Sequence, residues 1–143
     1  MAYSTHFSDQ ELGCKCHRHP SPDPVINACT QELVDALEAF RSAVGKPVIV
    51  DSGYRCPAHN AEVGGVPNSE HVSGIAADIK VTGMSAAELY SVALKIPAFA
   101  DGGIGVATHQ GYVHVDCRSN LARWAYDANG KWERWNLDLP INA

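Results

Sequence analysis

The sequence lacks any apolar run long enough to cross a bilayer. Its apolar runs, such as residues 47–50 and 92–94, fall far short of the ~20 residues that a spanning helix takes. It has no basic patch either. Eleven Lys and Arg stand against 16 Asp and Glu, for a formal charge of −5, which offers no surface to nucleic acid. Repeats, low-complexity tracts and Gly/Ser linkers are absent, and only 19% of the residues are charged. That excludes a disordered tail, a collagen-like repeat or a coiled coil. The first eight residues carry neither a basic start nor an apolar stretch, so no secretory signal is expected and the chain is expected to be made in the cytoplasm. Five cysteines are an odd count. Without a signal, the default is reduced thiols rather than a disulfide framework.

What is present suits one domain over residues 1–143, expected to be a monomer. A chain of 143 residues, 45% of them hydrophobic, has an ordinary domain length and buries roughly two-thirds of its unfolded surface. It needs neither a disulfide nor a metal merely to fold. Residues 14–24 form a loop with three prolines, two cysteines and two histidines. Leu33, Val34, Leu37, Phe40 and Val44 recur at three-and-four spacing, which predicts a helix over 30–44 that ends at Gly45-Lys46-Pro47. Residues 48–50 read as a strand, 57–63 as a short helix, and 74–81 as an alternating strand. Ser85 and Glu88 form a capping box for a helix over 85–96, which Pro97 ends. Residues 103–107 and 112–117 read as a hairpin. The aromatic tail, 121–136, reads as a second one, with a short helix at 121–126 left open. The class is α+β, helices packed on a mostly antiparallel sheet.

Three residues carry chemistry. Asp78 sits mid-strand between Ala77 and Ile79, and a carboxylate is costly to bury unless it is paired or binds a metal. His114 lies in Tyr-Val-His-Val-Asp. Strand alternation puts Tyr112, His114, Asp116 and Arg118 on one face, opposite Val113, Val115 and Cys117. With His71 they offer two His and one carboxylate, the ligand set of a catalytic zinc. The residues themselves leave a second reading open. Each histidine is equally readable as a surface or hydrogen-bonded residue, and Asp78 as a strand-end cap or ion-pair partner, because pattern alone does not bring distant residues together.

Residues 69–78, Ser-Glu-His-Val-Ser-Gly-Ile-Ala-Ala-Asp, fit Ser-x-His-x-x-Gly-x-Ala-x-Asp, and Tyr112–Asp116 fits a downstream His-x-Asp element. Together with Ser52-Gly53-Tyr54-Arg55, Pro57-x-His-Asn60 and Gly64-Gly65, the chain from about residue 7 to 118 resembles the zinc D-Ala-D-Ala carboxypeptidase family. That family belongs to a metallopeptidase superfamily shared with L-alanyl-D-glutamate peptidases and the hedgehog domain. The resemblance implies Zn²⁺ as cofactor, held by His71, Asp78 and His114, and peptidoglycan stem peptides as substrate, with no nucleic acid partner. Zinc chemistry would let water attack a peptide carbonyl near neutral pH.

The resemblance also implies roles at single positions. The peptidase subtypes with an acidic residue three before the last ligand are disfavoured, because that position is Gly111. A His five before the last ligand, here His109, fits the carboxypeptidase subtype as the proton-handling group; by itself it also reads as a solvated turn residue. Arg55 matches the arginine that grips the substrate's carboxylate, and Ser69 a substrate-binding serine; their other readings are a surface ion pair and a turn cap. Asp116 reads as a carboxylate that orients a ligand histidine or as the partner of Arg118. Cross-link endopeptidase activity of the phage lysis type, and a zinc-containing module that binds without turnover, are the alternatives. Action on the cell wall would follow release or export. Cys14, Cys16, His17 and His19 read as free thiols and loop histidines or, with Cys29, as a second structural zinc site. Nothing selects a disulfide such as Cys56–Cys117 or Cys14–Cys29.

Overall fold

The computed structural model describes residues 4–16 and 26–142. Most of the predicted 14–24 loop, with His17 and His19, lies outside the described residues. Ser8 opens α1 (Asp9–Leu12), a single turn absent from the sequence reading. Its capping box is complete, the Ser8 hydroxyl accepting from the Glu11 N–H and Glu11 Oε1 from the Ser8 N–H. Thr30 caps α2 (Gln31–Val44), which buries Leu33, Val34, Leu37 and Phe40, the stripe that the spacing predicts. Then come β1 (Ile49–Ser52), α3 (Pro57–Glu62) and β2 (Ala76–Lys80). The predicted box of Ser85 and Glu88 starts α4 (Ala86–Ala93). The spacing predicts that this helix runs to residue 96. Instead it stops three residues earlier, and Pro97 opens α5 (Pro97–Ala100). Proline blocks a helix interior but suits a first turn, so the same residue marks a start as readily as an end.

The rest of the chain is strand: β3 (Gly103–Ala107), β4 (Tyr112–Asp116), β5 (Ala122–Tyr126) and β6 (Trp132–Arg134). Residues 122–126 are thus strand and not helix, and the aromatic tail is the expected hairpin. The sheet runs β1-β2-β4-β3-β5-β6. All its pairings are antiparallel except β3 with β5, which is parallel. The α+β reading therefore holds.

One face of the sheet is the core. Ala77 and Ile79 of β2, Ile104 and Val106 of β3, and Val113 and Val115 of β4 are fully buried there with Leu37, Phe40, Leu89 and Phe99 of the helices. Each large side chain so buried contributes about 1.5–3 kcal/mol. Strand alternation turns Asp78 and His114 to the opposite face. The β2–β4 register places them directly across from each other, Asp78 beside His114 and Ala76 beside Asp116.

The N-terminal turn is tied to the exit of β1 at Gly53. The Tyr54 N–H donates to the Leu12 carbonyl at 2.7 Å, and a Cβ on Gly53 would stand 2.3 Å from that oxygen. The obstacle is backbone and cannot rotate away. Gly53→Ala is therefore expected to cost about 1–3 kcal/mol, read as a lower urea midpoint at unchanged slope. A midpoint equal to wild type would show that the two segments are not packed this closely.

Candidate metal centre

His71 follows a turn that Ser69 closes, its hydroxyl accepting from the His71 N–H at 3.2 Å. The ring is buried. Its Nδ1 lies 2.7 Å from the Gly53 carbonyl, which can only accept, so Nδ1 carries the proton and Nε2 presents a lone pair. That Nε2 is fully buried without a hydrogen-bond partner and faces Asp78 Oδ1 at 3.3 Å. His114 is arranged in the same sense. Its Nε2 donates to Asp116 Oδ2 at 2.8 Å, and its Nδ1 faces Asp78 Oδ1 at 3.1 Å. The two rings stand edge to face, 5.1 Å between centroids.

Two imidazole lone pairs and one carboxylate oxygen thus converge, all within 4.8 Å of one another. Three acceptors held this close need a cation between them. A proton fills that need in part. Burial opposes a charge on His114, but hydrogen bonds and attraction from Asp116 and Asp78 outweigh it and push the imidazole up to about 9. Asp78 is also opposed by burial, yet His71 and His114 hold its carboxyl well below the usual carboxylate range. A divalent metal meets all three lone pairs at once. The orphaned His71 nitrogen and the His₂-carboxylate donor set fit zinc.

Asp116 sits behind His114, fully buried. It accepts from His114, from Arg118 through both Nε and Nη2, and from the backbone N–H of Gly103 and of Arg118. The two readings of the sequence, orienting carboxylate and partner of Arg118, describe one arrangement. Trp124 covers the other side of His114 at 5.1 Å. It can do so because position 105 is glycine: a Cβ there would lie 2.3 Å from the indole nitrogen.

The three candidate ligands open into a cleft of about 1060 Å³ that Arg55, Ser69, Glu70, Tyr112, Tyr126 and Trp132 help to line. Arg55 is held on two arms, Nε donating to Ser52 Oγ and Nη1 to Asn60 Oδ1, while Nη2 lies 3.9 Å from Asp78. Ser69 both lines the cleft and caps the turn before His71. His109 is not brought into this group. It is exposed on the turn between β3 and β4, where Gln110 donates to the Asp127 carbonyl and His109 is within electrostatic reach of the Asp127 carboxylate. Tyr126, Trp124 and Trp132 carry the cleft wall, and the sequence reading gave them no role. The hairpin itself is legible in the sequence; its docking beside β3 is not.

If Asp116 orients His114 for a metal, Asp116→Asn, which keeps the shape and removes the charge, should lower zinc affinity by about 10–100-fold. Competition against a chromophoric chelator measures this, with a surface change such as Asp35→Asn as control. Equal affinities would remove Asp116 from the site.

Comparison with known proteins agrees with this geometry. Over 80 residues, 55% of the chain, the sequence is 35% identical to the zinc D-Ala-D-Ala carboxypeptidase of Streptomyces albus G. The match spans about a third of that relative, 31% of its length. The Peptidase M15 family matches residues 5–116, which include all three candidate ligands and Arg55. The chain belongs to the Peptidase M15 family.

Proposed function

We propose that the chain is a zinc peptidase that hydrolyses peptide bonds in peptidoglycan stem peptides, and specifically a D-Ala-D-Ala carboxypeptidase. The observation that carries the reading is the convergence of His71 Nε2, Asp78 Oδ1 and His114 Nδ1 at the base of a cleft. The family match and the named activity of the Streptomyces relative support it. Its place of action would be the cell wall, and no described helix is long and apolar enough to cross a membrane.

His71, Asp78 and His114 would hold the ion. Bound there, zinc supplies Lewis-acid chemistry, polarising a carbonyl and acidifying water. The remaining work belongs to side chains. Arg55 is already fixed by Ser52 and Asn60, so little rotamer freedom is lost when its planar head grips a terminal carboxylate. Asp116 keeps the His114 Nε2–H engaged and so reserves Nδ1 for the ion. Burial, with Asp78 nearby, pushes the phenols of Tyr112 and Tyr126 up, Tyr126 to about 12. Both line the cleft, where their O–H groups would donate to negative charge developing on the substrate.

A muropeptide digest read by mass spectrometry tests the reading. Loss of a single terminal D-Ala is expected from stem peptides ending in D-Ala-D-Ala. Arg55→Ala should lower kcat/KM about 10–100-fold. Amidating the substrate's terminus should hurt wild type equally and the variant little further, because the pair is already broken. Equal cutting of amidated and cross-linked peptides would make the chain an endopeptidase. Zinc without any turnover would make it a binding module.

The same assay settles His109. Its exposed position outside the cleft lining leads us to expect that His109→Ala keeps zinc and keeps kcat within about threefold. A proton-transfer role would instead show as a loss of about 10²–10⁴-fold.

A further inference from the structure

A second cluster of soft ligands lies apart from the His/Asp centre. Cys14 and Cys16, just after α1, meet Cys56, the residue that caps α3, and the three sulfurs all lie within 4.8 Å of one another. Cys14 and Cys56 are buried. The sequence alone groups Cys14 and Cys16 with His17, His19 and Cys29, of which His17 and His19 lie outside the described residues. The fold instead sends the Cys29 thiol elsewhere, donating to the Leu12 carbonyl, and supplies Cys56 from 40 residues downstream.

The spacing of the sulfurs is informative. Cys16 Sγ and Cys56 Sγ stand 3.7 Å apart. A disulfide bond would need ~2.05 Å. Two thiolates on one zinc, each ~2.3 Å from the ion at a tetrahedral angle, stand ~3.8 Å apart. Two of the sulfurs also accept backbone hydrogen bonds, Cys14 from the Cys56 N–H at 3.3 Å and Cys56 from the His59 N–H at 3.4 Å. These bonds hold the two sulfurs facing each other across the gap between the segment after α1 and the start of α3.

We propose that Cys14, Cys16 and Cys56 form a second metal site, a structural one that holds zinc through three thiolates. The fourth ligand lies outside these three residues. Binding exchanges the thiol protons for one divalent cation and involves no redox step. The consequence is positional. The site fastens the segment after α1 to the start of α3. Lys15 lies between two of the ligands and Arg55 directly precedes the third, and both line the cleft.

Cobalt substitution tests this without recourse to activity. The full chain, purified under reductant, should carry about two zinc ions by elemental analysis. After exchange with cobalt it should show a thiolate-to-metal charge-transfer band in the near ultraviolet, which His and Asp ligands do not give. Cys14→Ser/Cys16→Ser, and independently Cys56→Ser, should lose that band and bring the count to about one ion per chain. Asp78→Ala should keep the band, which separates this site from the peptidase centre. Cys29→Ser and Cys117→Ser should keep it too, because the Cys29 thiol is engaged by the Leu12 carbonyl and neither sulfur belongs to the cluster. A folded wild-type chain with no band, or a band that survives Cys56→Ser, overturns the proposal.

Discussion

Asp78 Oδ1 has two imidazole nitrogens within 3.3 Å, and each of those nitrogens has its other side committed. His71 Nδ1 is bound to a backbone carbonyl, and His114 Nε2 to a buried carboxylate. Neither ring can turn away without breaking a buried hydrogen bond, which costs about 1–3 kcal/mol for each group left unsatisfied. The lone pairs are therefore forced toward one point. The fold supports that enforced crowding of negative potential, and a cation relieves it.

The sheet sets the crowding. In the β2–β4 ladder Asp78 is directly opposite His114, and β3 places Gly105 on the far side of the same His114. A slip of one residue along β4 would send His114 into the core and Val113 or Val115 into the cleft. The fully buried valines oppose such a slip. Packing on one face thus fixes chemistry on the other. His71 reaches the same point from a turn, held by Ser69 and Gly53.

Much of this was legible in the sequence. Alternation along 74–81 and 112–117 separated core positions from site positions, and the capping box of Ser85 and Glu88 marked the start of α4. The residues grouped as candidate ligands do converge. Less legible was anything that depends on contacts between distant segments. The parallel pairing of β3 with β5 leaves no local signature, so the aromatic hairpin had no evident destination. Cys56 joins Cys14 and Cys16 only through the fold, whereas Cys29 is nearer in sequence. His109 sits at the right spacing from His114, but a four-residue turn carries its side chain out to solvent. Pro97 allowed both an ending and a beginning.

The family match stops at Asp116, and β5 starts at Ala122. Three aromatic residues of the cleft lining, Trp124, Tyr126 and Trp132, thus follow the candidate ligands in the chain, whereas Arg55, Ser69, Glu70 and Tyr112 line it from positions before the last of them. β5 joins the rest by lying against β3, and β6 forms the outer edge. Such a wall can vary in length, aromatic content or charge while the β2–β4 ladder stays unchanged. A lineage using this plan is free to reshape that edge of the cleft, and the ladder that sets His114 against Asp78 need not be rebuilt each time.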